Sequence, residues 1–247
     1  MRYGLLGQKL PHTVSPQIHA LLGIENYEKI EREENELPAL FQSNAFDGFN
    51  VTIPYKEKVI PYLFALDRQA KTIGAVNTVV RTENGYVGYN TDVDGMAYAL
   101  KKAGIDPQGK NVLILGTGGT SKTATYLAEK ENARSVTKVG RRSEVNYENV
   151  YDRSETQVVV NTTPVGMFPN VNEKPLDLSR FPNLSGVFDC IYNPKTTLLI
   201  EQAKRLGVPC ANGLLMLIEQ ARKAEEYFLQ KTLPETLTDQ VAESLLF

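Results

Sequence analysis

The chain has 247 residues and a formal net charge of −2, from 27 Lys+Arg against 29 Asp+Glu; 42% of it is apolar and 23% charged. At about 150 residues per domain this is a globular chain of one or two domains, too apolar to be disordered. Without a positive field it is a poor nucleic-acid binder. The longest apolar runs, such as Leu214–Ile218, have five residues, far short of the ~20 that a bilayer span needs. No apolar leader follows Met1, and Cys190 and Cys210 are too few for a disulfide scaffold or a zinc site. A cytoplasmic protein with no metal and no membrane contact is expected. Histidine chemistry is limited to His12 and His19, and His19 reads as a packed or solvated helix residue.

In chain order, residues 2–7 read as a short buried strand. Pro16–Leu22 reads as a helix with Ser15 as N-cap and Pro16 at its first position. Residues 27–31 alternate as an edge strand, 36–42 have helical spacing, 48–53 form a strand ended by Pro54, and 66–73 form a short helix. Residues 78–81 and 86–89 flank Glu83-Asn84-Gly85, a hairpin signal. Thr91 then caps a helix to about Ala103, closed by Gly104.

From Asn111 the pattern changes. The run NVLILG is apolar on both faces, as in a buried parallel strand. Further strands are expected at 135–139, 157–161, 187–191 and 208–210, with helices at 121–130 and 197–206. This alternation predicts a doubly wound sheet. Residues 141–156 are polar and poorly periodic and show no clear helix; helices at 214–229 and 234–246 close the chain.

Gly116-Thr117-Gly118-Gly119 lies directly after a strand and directly before a helix. There glycines permit a sharp turn and a close pyrophosphate, faced by helix N–H groups. A dinucleotide is therefore expected on Gly116, Gly118 and Gly119. The next strand ends in Gly140-Arg141-Arg142 rather than in an acid that would take a ribose 2′-hydroxyl. Two guanidiniums suit a 2′-phosphate, which favours NADP over NAD.

Taken singly, Lys56 is an ordinary surface lysine, Asn77 a turn residue and Asp92 a first-turn helix acid. Together, NVTIPYK (50–56), GAVNTV (74–79), GYNTDVDG (88–95), GTGGTSKTA (116–124), NTTPVGM (161–167), DCIYNPKTTLL (189–199) and NGLLMLIEQA (212–221) resemble, in this order and over nearly the whole chain, the shikimate dehydrogenases. The resemblance implies reversible NADPH-dependent reduction of 3-dehydroshikimate to shikimate, in aromatic amino-acid biosynthesis, with Lys56 and Asp92 as the catalytic pair. It implies Thr13 and Ser15 on the substrate carboxylate, Thr13 standing where the family has serine. Thr52, Asn77 and Gln220 match further substrate positions, and Tyr192 a position near the carboxylate end. Thr162, Gly213 and Met216 match positions on the nicotinamide side, and Leu215 departs from a small residue there. Arg141 matches the arginine of the family's Asn-Arg-Thr triplet, Arg142 replaces its threonine, and the stretch from 141 to 156 is short.

The expected architecture is α/β. An open α/β substrate domain takes residues 1–100 and the returning C-terminal helices at 212–247, a Rossmann-type NADP domain takes 101–211, and the active cleft lies between them. The expected partner is a small-molecule substrate, for a monomer or homodimer. The rivals are a quinate or mixed quinate/shikimate dehydrogenase with dual cofactor use, a non-catalytic nucleotide-binding homologue, and a folate-type methylene dehydrogenase, whose lysine signature differs from NVTIPYK.

Overall fold

The computed structural model describes residues 1–11 and 13–245, so His12 and the expected helix end at Leu246 lie outside the described residues. The chain divides into two compact units, Met1–Asp92 with the segment from Ile218 onward, and Val93–Leu217.

The first unit is built on a mixed sheet of β1 (Tyr3–Gly7), β2 (Tyr27–Glu31), β3 (Gly48–Val51), β4 (Ala65–Leu66), β5 (Thr78–Thr82) and β6 (Gly85–Tyr89), with α1 (Ser15–Leu22), α2 (Leu37–Ser43) and α3 (Arg68–Ile73) between strands. The strand order is β2-β1-β3-β5-β6-β4. β1 runs parallel to β2 and β3, and β5 runs antiparallel to β3 and β6. β1 is buried at every position, as its apolar run requires, and β2 lies at the sheet edge with only Tyr27 and Ile30 buried. Phe49 is fully buried and meets Phe41 and Tyr86 edge-on at 5.5 and 5.6 Å. Such aromatic pairs contribute about 0.5–1.5 kcal/mol beyond their buried area.

Several local expectations change. Ser15 is the first residue of α1 and not its cap; among the described residues no side chain caps that helix, and Thr13 Oγ1 instead accepts the Ser15 N–H at 3.2 Å. Residues 34–36 form a separate 3₁₀ turn before α2. Strand β3 ends at Val51, two residues earlier than expected, because the Thr52 carbonyl turns to accept the Tyr55 N–H. Ala65 and Leu66 pair with β6 as a strand, and α3 begins after Asp67, whose carboxylate caps Gln69 and Ala70. Gly85 opens β6 in the left-handed region (φ 122°), so the hairpin loop is Glu83-Asn84.

The second unit holds α4 (Asp92–Lys102, beyond its first residue), β7 (Asn111–Leu115), α5 (Gly119–Lys130), β8 (Ser135–Val139), β9 (Val158–Asn161), β10 (Gly186–Asp189), α6 (Leu198–Arg205) and β11 (Cys210–Ala211). Its five strands are all parallel, in the order β11-β10-β9-β7-β8. Residues 141–156 contain one 3₁₀ turn, Val150–Asp152, held to the core by Val145, Tyr147, Val150 and Tyr151. The chain therefore goes from β8 to β9 without an intervening strand, and β8 forms an edge. The strand order reverses between β7 and β9. This Rossmann-like switch point is where doubly wound sheets bind ligands, beyond the carboxyl ends of the strands.

The chain ends in α7 (Leu214–Leu229) and α8 (Thr236–Ser244). From Ile218 on these helices belong to the first unit, because Phe228 stacks on Tyr3 at 5.0 Å and fills the space over Gly48, where a Cβ would come within 2.6 Å of its ring. Arg222 bonds both oxygens of Glu219, and Thr238 donates to Glu219, which ties α8 to α7. No helix among the described residues is long and apolar enough to cross a membrane.

Candidate active site

In the first unit, the loop after β3 carries Lys56. Tyr55, beside it, is 1% exposed and donates its hydroxyl to the Arg32 carbonyl at 2.6 Å. The Lys56 carbonyl accepts the Val76 N–H at 2.7 Å. Tyr55 and the Lys56 backbone are thus both anchored where the lysine stem leaves the loop. Its Nζ lies 2.5 Å from Asp92 Oδ2, with side-chain exposures of 15% and 7%. Asp92 is the first residue of α4, where the helix dipole favours a carboxylate. Its other oxygen accepts Asn77 Nδ2 at 3.0 Å.

Asn77 is the hub. Its Nδ2 also faces Thr91 Oγ1 at 3.0 Å and Gln220 Oε1 at 3.1 Å, and its Oδ1 accepts the Thr91 N–H at 2.7 Å. One amide with two hydrogens thus faces three acceptors, so a ligand hydroxyl can replace one of them. The fold brings together Lys56, Asn77, Asp92 and Gln220 from four separate segments. Thr13 and Ser15 pair with each other, hydroxyl to hydroxyl, at 3.1 Å at the start of α1. The Thr52 methyl lies against Gly7, 3.0 Å from where a Cβ there would stand.

In the second unit, Gly116 follows β7 at the switch point. It is left-handed (φ 114°), and a Cβ there would stand 2.5 Å from Thr162 Oγ1, so glycine is required twice over. Thr162 donates to the Leu115 carbonyl at 2.6 Å. Gly118 is extended, and a Cβ on it would meet nothing within 4 Å; no side chain caps α5, which starts at Gly119. The first turn of α5 thus offers backbone N–H groups to an anion. Gly140 lies against Thr117, where a Cβ would come within 2.6 Å of the methyl. The Arg141–Arg142 turn is therefore next to the glycine loop, and both arginines are exposed. β8, Ser-Val-Thr-Lys-Val, has no carboxylate to take a ribose hydroxyl. These residues fit a 2′-phosphorylated dinucleotide.

Behind this loop, Asn161 is fully buried and accepts from the Thr163 N–H and hydroxyl at 3.0 and 2.7 Å. Its Nδ2 donates to Asp189 Oδ1 at 3.0 Å, and Thr197 donates to Asp189 Oδ2 at 2.6 Å. Burial pushes the Asp189 carboxyl above its ordinary range, opposed by these donors. Asp189 also takes the Ile191 N–H at 3.1 Å, which is why β10 stops at 189 and not at 191. Tyr192, Gly213 and Met216 belong to this second unit. Burial raises the Tyr192 phenol above its ordinary range. Met216 is nearly enclosed.

Gly213 has a reason in packing alone. A Cβ there would stand 2.0 Å from the Cys190 carbonyl oxygen. Gly213→Ala is therefore expected to cost about 2 kcal/mol or more, read as a lowered thermal midpoint. An unchanged midpoint would contradict this close approach. Asn50, Thr91 and Asp189 are the buried supports that motif reading left without a site role. All three stand inside quoted motifs, and only the fold reveals whom they bond.

A family model described as the shikimate dehydrogenase substrate binding domain matches residues 5–79. Shikimate dehydrogenase (NADP(+)) of Clostridium perfringens is 33% identical over 245 residues, covering 91% of this chain and 90% of the relative. Among solved structures, a chorismate mutase/shikimate 5-dehydrogenase fusion protein from Clostridium acetobutylicum superposes with a TM-score of 0.92 at 32% identity, over 98% of this chain and 95% of that one. Shikimate 5-dehydrogenase from Thermus thermophilus, solved with NADP(H) and shikimate, gives a TM-score of 0.87 at 28% identity over the full length of both chains.

Proposed function

The chain belongs to the shikimate dehydrogenase family, and from that premise we propose how its own residues carry out the NADP-dependent interconversion of shikimate and 3-dehydroshikimate. Bound NADPH supplies the hydride that reduces the C3 carbonyl. As that carbon is reduced, negative charge builds on the carbonyl oxygen. The Lys56 ammonium stabilises this charge and passes a proton to the oxygen; in the reverse direction the neutral amine takes the proton from the C3 hydroxyl. A positioned proton donor of this kind contributes about 10²–10⁴-fold. Asp92 fixes Nζ and accepts from a substrate hydroxyl. Asn77 and Gln220 take further hydroxyls, and Thr52 adds a hydroxyl partner. Thr13 and Ser15, at the N-terminus of α1, take the carboxylate. Gly116, Gly118 and Gly119 receive the pyrophosphate and Arg141 and Arg142 the 2′-phosphate. Thr162, Gly213 and Met216 border the nicotinamide.

The observation that carries this reading is the contact of Lys56 Nζ with Asp92 at 2.5 Å, the carboxylate itself being held by Asn77. With two free cysteines, a reducing cytoplasm is the fitting compartment. The test is kcat/KM at the reduced-nicotinamide absorbance, for shikimate and quinate with each of NADP+ and NAD+. Shikimate with NADP+ is expected to exceed the other three pairs. Comparable turnover of quinate would make the enzyme a mixed quinate/shikimate dehydrogenase, and no turnover of any pair would leave a nucleotide-binding homologue.

A further inference from the structure

The most deeply buried ionisable pair of the first unit is not among the residues that meet the substrate. His19 and Glu225 are 1% and 0% exposed, with Nδ1 and Oε1 2.9 Å apart. The imidazole stacks on the Tyr27 ring at 3.8 Å, nearly parallel, and among the described residues Glu225 Oε2 has no hydrogen-bond partner. An orphaned oxygen on a buried carboxylate is costly, and apolar residues would fill this core more cheaply. Burial holds the His19 imidazole below its ordinary pKa, opposed by Glu225 and by a hydrogen bond to Asn50.

The pair's position in the fold gives it a use. His19 is four residues after Ser15 on α1, on the same helix face and one turn further in. Glu225 is five residues after Gln220 on α7. The bond between them therefore joins the helix that presents Ser15 to the helix that presents Gln220. The polar chain continues from there. Tyr27 donates its hydroxyl to Asn50 Oδ1 at 2.7 Å. Asn50 Nδ2 reaches the Asn77 carbonyl at 3.1 Å and Thr78 Oγ1 at 3.0 Å. The Thr78 hydroxyl meets that of Thr91 at 3.0 Å, next to Asp92. Asn50 also stands two residues before Thr52, on the same face of its strand's extension.

We propose that Glu225, His19, Tyr27 and Asn50 are positioning residues: a buried hydrogen-bonded keel that sets the distance between the carboxylate-binding end of α1 and the hydroxyl-binding side chains of Asn77, Asp92 and Gln220. None of the four touches substrate. The inference rests on the shikimate reading of this unit. A ligand gripped at both ends by polar side chains is sensitive to that spacing, so loss of the keel weakens shikimate binding and leaves the cofactor residues of the other unit unaffected.

The test is steady-state kinetics on Glu225→Leu, Glu225→Gln and Tyr27→Phe, with thermal midpoints as controls. Glu225→Leu is expected to raise the KM for shikimate about 10-fold or more, with the KM for NADP+ within about 2-fold. Glu225→Gln keeps an acceptor for His19 and is expected to recover to within about 3-fold of wild type. Tyr27→Phe keeps the stack and loses one hydroxyl, for a rise of about 3–10-fold. Folded variants with unchanged shikimate KM, or with both KM values raised alike, would overturn the proposal. Should Glu225→Leu fail to fold, Tyr27→Phe decides by the same criterion. A wild type inactive on shikimate would sink the functional reading instead. The keel is then judged by amide hydrogen exchange along α1, expected faster in Tyr27→Phe and overturned by unchanged exchange.

Discussion

Lys56→Ala is expected to lower kcat for shikimate oxidation by about 10²-fold or more, with the KM for shikimate changed far less. The asymmetry follows from geometry. In the proposed reaction many hydroxyl and amide groups hold the substrate, whereas proton transfer at the C3 oxygen depends on one amine, which lies 2.5 Å from Asp92. His19, the one histidine among the described residues, is enclosed in the core and cannot substitute. Asp92→Asn keeps the shape of the site but leaves Nζ without a carboxylate, and is expected to reduce kcat less than loss of the lysine. Truncating Asp92 to alanine also leaves the largely buried Lys56 ammonium without its carboxylate, so Asp92→Ala is expected to lower stability as well as rate. Steady-state kinetics with thermal melts separates these outcomes. A Lys56→Ala variant with normal kcat would remove the lysine from the mechanism.

Arg141→Ala carries the second large effect. A guanidinium on a phosphate makes charge-assisted hydrogen bonds of about 1.5–3 kcal/mol each, so the KM for NADP+ is expected to rise about 10–100-fold. NAD+ has no 2′-phosphate to lose, and its KM is expected to stay within about 3-fold. Arg142→Ala is expected to act in the same direction more weakly, because Arg141 matches the arginine of the family motif and Arg142 is an addition to it. Measuring KM for both cofactors in each variant reads this directly. Equal losses for NADP+ and NAD+ in Arg141→Ala would move phosphate recognition off that residue.

What the sequence made legible depended on how local each signal was. The run NVLIL announced a strand buried on both faces, and β7 is buried at four of its five positions. The glycine loop, the helix after it and the missing acid of β8 are contiguous features, and all were readable. β4 was not, because a two-residue strand has no period and exists only through its pairing with β6. Residues 141–156 gave no pattern because their four anchors, Val145, Tyr147, Val150 and Tyr151, mix a strand step (145, 147) with a helical one (147, 150, 151) and sustain neither.

The candidate site was legible by motif and not by spacing. Lys56 and Asp92 are 36 residues apart, and Asn77 and Gln220 are 143 apart; only the folded sheet closes those distances. Ser15 read as a cap because serine before proline usually is one, yet Thr13 bonds its N–H instead. The keel was invisible for a related reason. A histidine on a short helix and a glutamate on a long one each look ordinary until the fold buries both and places them 2.9 Å apart.

The most direct test of the central claim is a single-turnover experiment, mixing enzyme, NADP+ and shikimate and following reduced cofactor in the first reaction cycle for wild type and Lys56→Ala. In the variant the chemical step itself is expected to slow by about 10²-fold or more and to become rate-limiting. A first-cycle rate equal to that of wild type would contradict it.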